Sequence, residues 1–164
     1  MIKKHLIALF VDTSNTDTPT WTRIKKSTEI AIAMDAQTEE YDYIADEIPT
    51  TELEQYKPSI DQPLKMLENE PDFQYFWDLF YHMRIGEEAK TKCMIVFLFD
   101  NKGTSESPAY SAWSGECTIA FDEMNGNDSE LSFNLALGAD TKIGTATVTG
   151  TAPDYVPTFT EGEG

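Results

Sequence analysis

The sequence predicts a mainly β domain, a β-sandwich or barrel with one flanking α-helix. Three observations carry that prediction. Several short segments alternate apolar and polar residues at the two-residue period of a half-buried strand. A single segment repeats at the three- and four-residue spacing of a helix. Apolar residues form 40% of the 164-residue chain and aromatics 12%, enough to pack a core and too much for wholesale disorder. One domain is expected at this length. It takes in residues 1–150, with an N-terminal arm and a long loop at about 39–66, and leaves 151–164 as a C-terminal arm or disordered tail.

The elements follow in chain order. Residues 6–11 are an apolar run. Residues 28–35 alternate, with Ile30, Ile32 and Met34 on one face and Glu29, Ala31, Ala33 and Asp35 on the other. Residues 39–66 read as strands or as an extended loop, because Pro49, Pro58 and Pro63 exclude a long helix. Glu70, Pro71 and Asp72 form an acidic helix start with proline in the first turn. Phe73, Phe76, Trp77, Phe80 and Met83 then make an aromatic stripe, and Gly86 ends it. Such a stripe predicts core packing at about 1.5–3 kcal/mol per buried side chain. Residues 92–100 are apolar on both faces, so each face needs a cover: an opposing sheet on one, a helix or a neighbouring subunit on the other. Residues 116–121 and 130–137 alternate strictly, and Asn125-Gly126 between them signals a hairpin. Residues 141–149, rich in Thr and Val, follow a turn at Gly138. Pro153 and Pro157 then mark the tail.

Charge narrows the function. The net charge is −17, and the pI is about 4.2. That argues against electrostatic binding of nucleic acid, which needs cations to displace phosphate counterions, and against an anionic membrane surface. Neither of the longest apolar runs approaches the roughly 20 residues of a spanning helix. Lys3 and Lys4 precede the first run as in a secretory signal. That run is short, leads into Asp12 and lacks a cleavage pattern, so no signal peptide is expected. Two cysteines, Cys93 and Cys117, make neither a disulfide framework nor a zinc site and point to reduced, cytosolic thiols. The charge is also uneven. Residues 1–34 hold five bases and three acids, whereas 35–70 hold eleven acids and two bases. A basic N-terminal segment can therefore meet an acidic face of an identical neighbour.

Catalytic chemistry finds no support. His5 and His82 lack metal-ligand spacing, and the cysteines fall within strands as buried, inert thiols. Carboxylate pairs are as frequent as 29 acids make them by chance. The acidic turn at 122–128 lacks the acceptor spacing of a calcium loop. There is no GxxxxGK[ST], GxGxxG or GxSxG. No catalytic residue, metal or cofactor is expected.

Three runs carry a resemblance: WTRIKKSTE at 21–29, QTEEYDYIAD at 37–46 and YKPSIDQP at 56–63, followed by the aromatic helix. YSAW at 110–113 and GADTKIG at 138–144 are compatible with it. In order and spacing the chain resembles the major tail tube proteins of long, non-contractile-tailed phages and related prophages, an architecture shared with the inner tubes of contractile injection systems. The resemblance implies a subunit that assembles into hexameric rings, stacked as a hollow tube with an acidic lumen that conducts the phage genome. Its partners would be further copies of itself, and tape-measure and tail-tip or terminator proteins. DNA would pass without specific binding. The place would be the virion tail, assembled in the bacterial host cytoplasm.

An acidic lining suits that task. DNA carries one negative charge per about 1.7 Å of axis, so basic walls would hold it and acidic walls repel it over a Debye length of about 8–10 Å. The candidate lumen residues are acids on polar strand faces: Glu29, Asp35, Glu52, Glu54, Glu116 and Glu130. The candidate subunit contacts are Lys3, Lys4, Arg23, Lys25, Lys26, Tyr41, Tyr43 and Tyr56. Two other classes fit the composition: an acidic DNA-mimic inhibitor, and a small β-sandwich binding module or hydrolase.

Overall fold

The computed structural model describes residues 1–14, 16–151 and 155–162. It is mainly β, with one α-helix. Seven strands form an antiparallel path. Its order is β2 (Trp21–Arg23), β1 (Ile7–Asp12), β7 (Lys90–Asn101), β8 (Tyr110–Asn125), β9 (Glu130–Leu137), β6 (Ser59–Lys65) and β3 (Ile32–Ala33). The path closes on itself through the segment after β2. The Ile24 N–H still donates to the Leu9 carbonyl of β1 at 2.9 Å. A few residues on, the chain has crossed to β6: Lys65 N–H donates to the Lys26 carbonyl at 3.0 Å, and Thr28 N–H to that of Pro63 at 3.3 Å. Residues 21–28 thus serve as the seam of a barrel, which leaves the sheet no long open edge there.

The barrel interior is one apolar cluster. Alternation delivers Leu9 and Val11 from β1, Ile60 and Leu64 from β6, and Cys93 and Ile95 from β7. Leu131, Phe133 and Leu135 come from β9, the strand whose alternation the sequence displays most clearly. The helix α1 (Pro71–Tyr81) plugs this interior. Phe76 stacks on Phe133 with ring centroids 4.2 Å apart, and Phe80 meets Phe121 edge-on at 5.5 Å. Asp72 is buried at the first turn, where the helix dipole favours a carboxylate. It accepts the N–H groups of Lys25 at 3.1 Å and Phe73 at 2.8 Å, tying the helix start to the seam.

The helix departs from the expected stripe at its far end. It stops at Tyr81, and Met83, not Gly86, takes the first left-handed turn beyond it, at φ 46°. Met83 is 82% exposed and Trp77 41%, while Leu79, outside the expected stripe, is buried. Phe73 and Phe80 are half-buried against the core. The packing face is therefore Asp72, Phe76 and Leu79, rotated from the aromatic stripe because a buried carboxylate occupies its first position.

Strands β10 (Lys142–Thr149) and β11 (Val156–Glu161) form a second layer. β10 pairs with the first part of β8, from Tyr110 to Ser114, while β9 pairs with the remainder. The hairpin lies over the outer faces of β1 and β7, where Ala146 and Phe159 pack with Ala8, Phe10, Met94 and Val96. This answers the two-faced apolar pattern of 92–100. One face looks into the barrel under α1, the other is covered by an opposing hairpin, and the covers are parts of the same chain. The tail expectation changes accordingly. Instead of an arm, residues 156–161 are an edge strand, which tolerates Pro157 because an edge does not need every N–H. The rest of that tail, 152–154 and 163–164, lies outside the described residues.

The segment 28–35 also differs from expectation. Only Ile32 and Ala33 pair, with Ile60 and Ser59. The stretch expected as a long loop resolves into β6 and a separate two-stranded sheet, β4 (Gln37–Tyr41) with β5 (Thr50–Gln55).

Candidate functional site

Three surfaces gather the residues that the sequence singles out. The first is the β4–β5 hairpin. Its base is clamped by Lys57 N–H donating to the Met34 carbonyl at 2.9 Å, and its strands pair with no other strand. Residues 37–55 carry Glu39, Glu40, Asp42, Asp46, Glu47, Glu52 and Glu54, with no Lys or Arg. Glu39 lies directly opposite Glu52, a like-charge pair that disfavours the ladder. Tyr41 offsets part of this by donating to Glu39 and Glu54, each at 3.1 Å, and its ring stacks on Tyr43 at 5.7 Å. Those bonds, Glu54 first, raise the Tyr41 phenol above its usual range, since they hold the protonated form. Tyr43, Ile44, Ile48, Leu53 and Tyr56 are all exposed. Isolated two-stranded hairpins are marginal in water.

The second surface is the outward face of β6, β9 and β8. Register aligns Asp61 with Asn134 and Ala120, and Ser59 with Ala136 and Thr118. Small and polar side chains thus pave this face. It contains a shallow depression of about 530 Å³ bordered by Glu29, Asp61, Asp122 and Asn134. Asp61 accepts the Asn134 amide at 2.8 Å. Glu116 and Glu130 belong to the same face at its margins. Lys65 reaches Glu130 at 3.3 Å, and Lys90 lies 3.9 Å from Glu116. The six candidate acids therefore separate. Glu29, Glu116 and Glu130 share this face, Glu52 and Glu54 sit on the hairpin, and Asp35 lies at the hairpin base with φ 41°.

Asp61 and Asp122 belong to the face although the sequence reading passed over them. The buried Gln62 and the Pro63 that follow Asp61 break the alternation that would have marked β6 as a strand. A bulge between Phe121 and Glu123 hides Asp122 in the same way.

The third surface is a cavity of about 520 Å³ in the barrel seam. It forms where the seam segment leaves β1 at Ile24 before it reaches β6. Leu6, Ile7, Leu9 and Ile30 give it apolar walls, and Lys4, Arg23 and Lys25 stand around it together with Glu29, which lies between this opening and the acidic face. Arg23 donates to the His5 carbonyl at 3.0 Å, and Lys25 lies 3.8 Å from Glu70. Three of the five candidate basic contacts thus converge on one opening; Lys3 and Lys26 are exposed nearby in the chain.

Cys93 and Cys117 are buried, and the Cys93 thiol is pushed far up by its hydrogen bond to Cys117 and by burial, which keeps it protonated. Burial raises Tyr75, and a bond from Ser111 lowers Asp100. Among the described residues, no group of three His, Cys, Asp or Glu is placed to hold a metal.

No protein family matches the chain, and no curated protein does. Among solved structures, it is similar to a chain of the anti-feeding prophage baseplate, determined by cryo-electron microscopy with six-fold symmetrisation. The likeness covers 87% of this chain and 95% of that one, at 11% identity and a TM-score of 0.47.

Proposed function

We propose that the chain is a structural, non-enzymatic subunit of a phage-type tail. It assembles into stacked hexameric rings whose bore conducts the genome. The observation that carries this reading is the β4–β5 hairpin. The barrel completes its own core, yet the chain builds an appendage that leaves Tyr43, Ile44, Ile48 and Leu53 in solvent, with Tyr56 exposed beside its base. Such a feature gains stability only when something covers it. The resemblance of the runs at 21–29, 37–46 and 56–63 to tail tube proteins supports a tube as that assembly.

The acidic, small-residue face of β6, β9 and β8 is the surface we assign to the lumen, with Asp61, Asp122 and Glu29 at its centre. A sheet face gives a stiff wall, short side chains keep the bore open, and carboxylates repel the duplex from all sides. The partners in this reading are identical copies, a tape-measure protein and tail-tip or terminator proteins. The protein would be found in the virion tail, after assembly in the bacterial host cytoplasm.

Negative-stain microscopy of the concentrated full chain, alone and seeded with a tail-tip complex, tests the reading. Rings or tubes are expected. A strict monomer under both conditions overturns it. In assembled tubes, Asp61→Lys with Asp122→Lys is expected to leave the tube intact and to block genome passage.

A further inference from the structure

The hairpin tip and the seam cavity match each other in polarity and charge. The tip carries Ile44 and Ile48, 106% and 75% exposed, between Asp42, Asp46 and Glu47. The cavity reverses this pattern, with apolar walls and a charged lining of three bases, Lys4, Arg23 and Lys25, to one acid, Glu29. We infer that the Ile44–Ile48 tip of one copy seats in the seam cavity of the next, its acids meeting these bases. This deepens the self-assembly reading and rests on it.

Two further features favour a second copy as the occupant. At about 3.3 Å per residue, the five residues of β4 carry the loop that holds Ile44 and Ile48 about 15 Å from the hairpin base. That base follows Ile30 of the cavity wall by only a few residues, and the paired ladder spaces the tip from it. The pairing is also head-to-tail, because each copy offers one tip and one cavity. Contacts of that kind propagate into rings or stacks instead of stopping at a dimer. The uneven charge of the sequence, basic at the start and acidic at 35–70, then has a place in the assembly.

Cross-linking in the full chain tests this. Ile44→Cys and Ile30→Cys are purified separately, mixed at an assembling concentration and treated with a short bismaleimide; the native Cys93 and Cys117 are both buried. A joined pair is expected in the mixture, and neither in the separate variants nor when Trp77→Cys replaces Ile30→Cys. Ile44→Asp alters a side chain that lies in solvent in the monomer, so its fold is safe. It is expected to raise the concentration needed for assembly by more than about tenfold. Lys4→Glu with Lys25→Glu, and Asp46→Lys with Glu47→Lys, are each expected to impair assembly and, combined in one chain, to restore it. Normal assembly of Ile44→Asp with no cross-link overturns the docking while the tube reading stands. Failure of the unaltered chain to assemble at all overturns both.

Discussion

The barrel and the β4–β5 hairpin are built from the same kind of strand under opposite conditions. In the barrel, β1, β6, β7, β8 and β9 each bury side chains in the cluster around Phe76 and Phe133, and the hydrogen-bond ladder closes through the seam. In the hairpin, one acid faces another across the ladder, and the apolar side chains look outward. The first arrangement is stable by itself. The second, in the proposed assembly, is a surface whose energetics are completed by a neighbouring copy. The difference teaches where selection for folding ends and selection for contact begins in this molecule.

The sharpest way to break that comparison is truncation in each region. Phe133→Ala removes the ring on which Phe76 stacks and which Phe121 meets at 5.7 Å. It is expected to cost the isolated monomer about 3–5 kcal/mol in urea unfolding. Ile48→Ala, on the hairpin, is expected to change monomer stability by no more than about 0.5 kcal/mol. Equal losses at the two sites would mean that the hairpin belongs to the cooperative core.

A smaller effect is expected at the joint between helix and seam. Asp72→Ala strands the N–H groups of Lys25 and Phe73 in a buried place. The expected cost is about 1–3 kcal/mol. Because Lys25 also lines the cavity, the same variant is expected to weaken assembly, read as fewer tubes at equal folded protein.

How much of this was legible in the sequence depends on which force shaped each part. β9 was readable residue by residue, because one buried face and one wet face impose strict alternation on Leu131, Phe133 and Leu135. The helix was readable by its periodicity, although its packing face was not, since nothing local marks Asp72 as a buried carboxylate. The seam was invisible: it is a change of partner between Ile24 and Lys26, carried by single hydrogen bonds and no pattern. Pro157 disguised β11 as a tail because composition does not distinguish an edge strand from a linker. Of the candidate site, the basic residues were found by charge alone. That Lys4, Arg23 and Lys25 share one cavity follows only from the closure of the barrel. The tip residues Ile44 and Ile48 stand out only once β4 and β5 pair, because the sequence leaves 39–66 as strands or an extended loop.

The smallest effect sharpens the picture of the hairpin itself. Tyr41, at the loop end of the ladder, helps to hold its strands together, for its phenol donates to Glu54 and Glu39. The folded-state pKa of Tyr41 is raised, so its contribution is fully present below the unfolded value near 10 and lost as pH rises through the folded one. Ultraviolet titration of the unaltered chain minus Tyr41→Phe is expected to show one tyrosine ionising above the usual range; subtraction removes Tyr75, which burial also raises. Glu54→Gln is expected to bring that step down, because it removes the stronger of the two acceptors' charges. A Tyr41 step at or below about 10 would mean that the two strands are apart in the free monomer. The hairpin would then form only on contact with a neighbour, and the contrast between the two regions would become one between folded and folding-on-assembly.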